Sequence, residues 1–86
     1  MNKVIIEFLE NAAEKAGISN PTIRLEHPED ITLGDFSSNV AMVYAKGLKI
    51  TPKALAEKIV QECKKDLPVE IISIDIAGPG FINFKI

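Results

Sequence analysis

Apolar side chains recur at Val4, Ile5, Phe8, Leu9, Ala12, Ala13 and Ala16. The i, i+1, i+4, i+5 spacing lays one stripe along a helix, and Gly17 follows as a residue suited to closing it. Asn20-Pro21 then turns the chain into Thr22-Ile23-Arg24-Leu25-Glu26, whose alternation predicts a short strand with Ile23 and Leu25 inward. His27-Pro28 ends that strand, and Glu29 to Gly34 reads as a loop or a brief strand. A second helix is predicted to begin around Phe36 to Asn39, where Asp35, Ser37 and Ser38 are all competent N-caps, and to run through Val40 to Ala45 until Gly47. It is apolar nearly all round, which predicts burial between other elements. The third helix has a clear start, with Thr51 as N-cap and Pro52 in the first turn. Leu55, Ala56, Ile59, Val60 and Cys63 form its stripe, and Lys64, Lys65 and the Leu67-Pro68 break close it.

Beyond Glu70 the hydrophobic period changes from helical to two. Ile72, Ile74 and Ile76 alternate with polar residues, and after Gly78-Pro79-Gly80 so do Ile82, Phe84 and Ile86. Residues directly opposite each other in an antiparallel hairpin share a face. A three-residue loop therefore pairs Ile76 with Ile82, Ile74 with Phe84 and Ile72 with Ile86, placing six large apolar residues on the core side. Ala77 then faces Phe81, Asp75 faces Asn83 and Ser73 faces Lys85. A loop of even length would mix the two sets. Glycine supplies the positive φ such a turn needs, and proline fixes its own φ.

The order is helix, strand, helix, helix, strand, strand. It predicts an α+β fold in which three helices pack on one face of a small antiparallel sheet of three or four strands, one domain over residues 1–86. The other face is expected to show Thr22, Arg24, Ser73, Phe81, Asn83 and Lys85. A lone aromatic on a surface needs no cause. An aromatic with an amide two residues on and a cation two further suits a splayed-out nucleic-acid base, which is bound by stacking and by hydrogen bonds to its edge.

With 86 residues, 47% of them hydrophobic, the chain can bury only about 60 to 65% of its unfolded surface. Ten Lys+Arg against twelve Asp+Glu give a net charge of -2, so no basic field draws in a polyanion at long range. RNA binding by this domain alone is expected to be weak. The single cysteine, Cys63, falls on an apolar helical stripe and reads as a core residue of a cytoplasmic protein. No apolar run approaches the roughly 20 residues of a membrane span. The N-terminus, with Glu7 and Glu10 early, lacks a signal-peptide plan.

Asp35, Ser37 and Ser38 lie within about ten residues of His27, yet sequence proximity does not make a catalytic triad, which is defined in space. A turn at Gly34 and a capped helix with Phe36 packed inward accounts for the block. His27 has no cysteine or second histidine with which to build a metal site, and reads as a surface residue at a strand end.

Two blocks, Gly34-Asp35-Phe36-Ser37-Ser38-Asn39-Val40-Ala41 and Ala77-Gly78-Pro79-Gly80-Phe81-Ile82-Asn83-Phe84, have Pro52 and Ala56-Glu57 between them. Together they closely resemble the N-terminal domain of arginyl-tRNA synthetases, and the resemblance covers nearly the whole chain. In that family the domain precedes the catalytic Rossmann domain and binds the outer corner of tRNA at the D-loop. There an aromatic and an amide on the last strand contact a D-loop nucleotide. The resemblance puts those roles on Phe81 and Asn83, with Lys85, Arg24, Lys49 and Lys53 as candidates for phosphate contact. It implies tRNA(Arg) and the parent catalytic domain as partners, no metal or membrane, and no cofactor for this domain, ATP being used by the parent ligase.

The chain stops at Ile86, where the family's catalytic domain would begin, and neither nucleotide-binding signature of class I synthetases is present. The 86 residues are expected not to activate arginine themselves. Two other functions compete with RNA binding. One is a structural or protein-interaction domain without specific RNA contact, which the negative charge favours a little. The other is a small enzyme, for which no cluster of titratable residues speaks.

Overall fold

The computed structural model describes residues 2–28 and 34–86. Its elements are α1 (Asn2–Lys15), β1 (Phe36–Ser38), α2 (Val40–Ala45), α3 (Pro52–Lys65), β2 (Ser73–Ala77) and β3 (Phe81–Lys85). The sheet is antiparallel with order β1-β3-β2, so the last strand in sequence is central in space. Helices α2 and α3 lie on the sheet, and α1 packs chiefly on α3. The α+β class and the α-β-α-α-β-β order are as expected.

Local chemistry explains where the helices start and stop. At the end of α1, Ile18 N–H donates to the Ala13 carbonyl at 3.0 Å and Gly17 N–H to that of Glu14 at 3.0 Å. These are the two bonds of a Schellman ending, with buried Ile18 sealing it. Ala54 N–H donates to Thr51 Oγ1 at 3.2 Å, and Pro52 opens α3 where no amide is needed. The core draws Ile5 and Leu9 from α1, Val40 and Ala41 from α2, Leu55, Ile59 and Cys63 from α3, and Ile74, Ile82 and Phe84 from the sheet.

The hairpin has the expected register: Ser73 opposes Lys85, Ile74 Phe84, Asp75 Asn83, Ile76 Ile82 and Ala77 Phe81. Its beginning differs. Ile71 N–H closes a turn onto the Pro68 carbonyl at 3.0 Å, Ile71 takes the core position, and Ile72 is 71% exposed instead of lying inward opposite Ile86.

The first strand is elsewhere than expected. Thr22–Glu26 keeps the alternating burial, with Ile23 inward and Leu25 half-buried, but forms no strand. Only Glu26 pairs, in an isolated bridge to Ser37. The Thr22 amide is taken by the Tyr44 hydroxyl at 2.8 Å. Phe36–Ser38, expected to begin a helix, instead forms β1 on the edge of β3, with Phe36 opposite Phe84. Of the three expected caps, only Ser38 serves α2, its Oγ accepting from Val40 N–H at 3.2 Å. Helix α2 starts at Val40 and ends at Ala45, short of Gly47. It is less enclosed than an all-apolar sequence suggests, for Val40, Ala41 and Ala45 are buried while Val43 is 56% exposed. The loop expected over Glu29 to Gly34 lies, Gly34 apart, outside the described residues.

Candidate nucleic-acid interface

Strand β3 is held in place at both ends by glycines that approach other backbone closely. Gly80, at φ +142°, ends the hairpin turn, and a Cβ there would stand 3.1 Å from Pro52 at the start of α3. Gly34, at φ +135°, crosses the far end, where a Cβ would come within 2.7 Å of the Phe84 carbonyl oxygen. Both positions combine a positive φ that favours glycine with a close approach, tight at Gly80 and leaving no room for a side chain at Gly34. Next to Gly34, Asp35 N–H donates to the Phe84 carbonyl at 2.7 Å, and Asp35 Oδ2 accepts from Ile86 N–H at 2.8 Å. The carboxylate thus ties the end of β3 rather than capping a helix.

The face of the sheet away from the helices carries Ser37, Asn83 and Asp75 side by side, with Phe81 and Ala77 paired at the turn end. Phe81 is 38% exposed, on the face the register predicts. Asn83 is not exposed. It retains 3% of its surface, and its Oδ1 is buried with no hydrogen-bond partner among the described residues. The cover comes from the chain around the Glu26–Ser37 bridge, whose two backbone bonds of 2.9 and 2.7 Å bring Glu26, His27 and Pro28 beside the sheet. What results is a depression of about 380 Å³ lined by Glu26, His27, Pro28, Ser37, Ala77, Phe81 and Asn83.

The expected site residues therefore divide. Phe81 and Asn83 share the depression. Lys85 is exposed at the far end of the same strand, and Arg24 is exposed outside the sheet, neither lining the depression. Thr22 is off the sheet as well. Glu26, His27, Pro28 and Ser37 were not foreseen as lining residues, because their place depends on a pairing that no local pattern announces. His27 is exposed, as expected. Its Nδ1 lies 3.0 Å from the Asp35 carbonyl oxygen, and its ring centroid is 5.1 Å from that of Phe36. Since a carbonyl only accepts, this bond places the proton on Nδ1.

The lining contains a carboxylate and no lysine or arginine, and Asp75 adds a second carboxylate nearby. Such a hollow suits a neutral group that donates hydrogen bonds better than it suits an anion. Cys63 has no part in it. Burial, with a smaller push from Glu62, drives its thiol up to about 12, which leaves it an unreactive core side chain. Among the described residues no cluster of His, Cys, Asp and Glu could hold a metal ion. No helix there is long and apolar enough to cross a membrane.

A family model described as the arginyl tRNA synthetase N terminal domain matches residues 1–86. The chain belongs to this family. Among relatives, the arginine–tRNA ligase of Bacillus subtilis is 43% identical over 98% of this chain and 16% of its own length. That of Bartonella tribocorum is 47% identical over 74% of this chain and 11% of its own. The chain thus spans about a sixth or less of the ligases it matches, and its match is to their N-terminal domain. Arginyl-tRNA synthetases of known structure share the fold. That of Thermus thermophilus superposes with a TM-score of 0.82 over 98% of this chain and 13% of its own, at 19% identity. That of Plasmodium falciparum gives 0.79 over 98% and 15%, at 21%. For an arginyl-tRNA synthetase N-terminal domain, the two glycine-bearing blocks have a physical meaning here: Gly34 and Gly80 brace opposite ends of the strand that carries Phe81 and Asn83.

Proposed function

We propose that this domain recognises an unpaired nucleotide in the D-loop of tRNA(Arg), at the outer corner of the molecule, and so supports arginylation by a ligase whose catalytic domain and ATP requirement lie outside these 86 residues. The observation that carries the reading is the buried Asn83 Oδ1, without a donor among the described residues, beside the half-open ring of Phe81. A buried acceptor without a donor costs about 1–3 kcal/mol, and an incoming N–H relieves that cost. Phe81 stacks on the base, Asn83 accepts from its edge, and Glu26 and Ser37 offer further polar groups around it. Lys85 and Arg24, with Lys49 and Lys53 on the helical side, meet phosphates and set orientation without reading sequence. The choice of the D-loop rests on family membership. A cytoplasmic site of action goes with the reading, and no cofactor or metal enters it.

The test is titration of the domain with a D-arm RNA hairpin, followed by chemical shifts of Phe81 and Asn83, together with the tRNA KM of the ligase. Phe81→Ala is expected to weaken binding by about 1–3 kcal/mol, roughly 5- to 150-fold, and to appear mainly in KM. Unaltered arginylation kinetics with cognate tRNA would remove Phe81 from the site.

A further inference from the structure

The connection between α3 and β2 carries large apolar side chains that the core does not use. Val69, in the turn closed by Ile71 N–H and the Pro68 carbonyl, is 94% exposed, Ile72 is 71% exposed and Leu67 38%. One exposed aliphatic residue needs no explanation. Three within six residues, one 94% and one 71% exposed, are more uncovered aliphatic side chains than so short a connection needs. Their position points to a partner. Ile72 N–H donates to the Lys85 carbonyl at 2.7 Å, while on the opposite flank Asp35 Oδ2 accepts from Ile86 N–H at 2.8 Å. The end of β3 is therefore pinned on both sides, with Ile72 against it. In the matched ligases this domain is N-terminal and accounts for 16% of the Bacillus subtilis protein, so most of the polypeptide follows it.

We infer that Leu67, Val69 and Ile72 seat the part of the ligase that follows this domain in sequence, an apolar surface that packs on the α3–β2 connection and sets the angle at which β3 is presented. The charged neighbours Lys65, Asp66 and Glu70 give the small apolar centre a polar rim, as in interfaces between domains. The inference rests on family membership and not on the RNA contact.

The test compares the 86-residue chain with the same chain extended through whatever its own gene encodes after Ile86. Hydrogen exchange of residues 67–72 is expected to slow by an order of magnitude or more in the extended protein. The charge-balanced double variant Val69→Glu, Ile72→Lys is expected to lower the unfolding midpoint of the extended protein by several degrees while leaving that of the 86-residue chain almost unchanged. Equal exchange in the two proteins overturns the inference, and so does an equal shift in both midpoints or a gene that stops at Ile86. Concentration-dependent dimerisation of the 86-residue chain, abolished by the double variant, assigns the surface to a second copy and overturns it as well. Affinity for the D-arm hairpin is measured alongside. Loss of exchange protection with RNA binding intact sinks this inference alone, and the converse sinks only the tRNA reading.

Discussion

The two faces of β3 bury neighbouring residues in opposite ways. Phe84, on the helix side, is fully buried in the apolar core and is satisfied by contact alone. Asn83, one residue earlier on the other side, is almost as inaccessible but leaves a carbonyl oxygen without a donor among the described residues. Burial on the first face stabilises the fold, and burial on the second shields from water an acceptor with no partner among the described residues, the feature on which the proposed base contact rests. The difference shows why a buried polar residue on the central strand of a small sheet is a stronger functional pointer than the exposed cations around it.

The largest expected effect falls on the helix face. Phe84→Ala removes the largest fully buried side chain and should cost about 3–5 kcal/mol. Thermal unfolding should fall by well over 10 °C, since each kcal/mol shifts a domain of this size by about 4–8 °C. A loss below about 1 kcal/mol would mean that the face is not packed as described. Next comes Gly34→Ala, which places a Cβ 2.7 Å from the Phe84 carbonyl oxygen at φ +135°. Strain of that kind costs about 1–3 kcal/mol before any overlap is counted, so the midpoint should drop by roughly 10 °C or more. A midpoint unchanged by the substitution would show that β1 does not need this close crossing.

The helix face was largely legible in the sequence, and the other face only in part. Ile74, Ile82 and Phe84 announce themselves by a period of two, and the three-residue turn fixes their register because the paired strands are adjacent in the chain. Phe81 follows from the same register. The cover over Asn83 does not, because it depends on Ser37 pairing with Asn83 and then with Glu26, partners 46 and 11 residues away. Phe36–Ser38 is three residues long and holds two serines, too short to show alternation and well suited to capping a helix. Tertiary pairing overrode that local preference, turned a predicted helix start into β1, and left Thr22–Glu26 extended with only one ladder partner. Ile72 departs from its expected place for a related reason: its phase matches the strand, but the turn from Pro68 gives the core position to Ile71.

On the open face the comparison is sharpened by separating stability from binding. Asn83→Leu keeps the number and branching of the side-chain heavy atoms and removes the buried oxygen, so unfolding should change by less than about 1.5 kcal/mol or move toward greater stability. RNA affinity should fall by about 1–3 kcal/mol in the same variant. Urea midpoints paired with hairpin titrations check both halves. A destabilisation approaching that of Phe84→Ala would mean that Asn83 is a structural residue and the two faces are alike.

The smallest effect is expected at Lys85, which shares the open face with Asn83 but lies beyond the depression and is exposed. Lys85→Ala should leave stability within about 0.5 kcal/mol, as for surface substitutions generally. If the ammonium meets one phosphate, the slope of log affinity against log salt should become shallower by about 0.7, the value for one contact to a single strand. The affinity ratio between hairpins differing only at the recognised base should stay constant, because a phosphate contact positions without reading sequence. Asn83→Leu should do the reverse, compressing that ratio while the salt slope holds. Measuring both quantities in both variants assigns each side chain to backbone or base. A ratio that moved with Lys85 would place the reading edge outside the depression and end the distinction between a dry, sequence-reading acceptor and a solvated, sequence-blind cation.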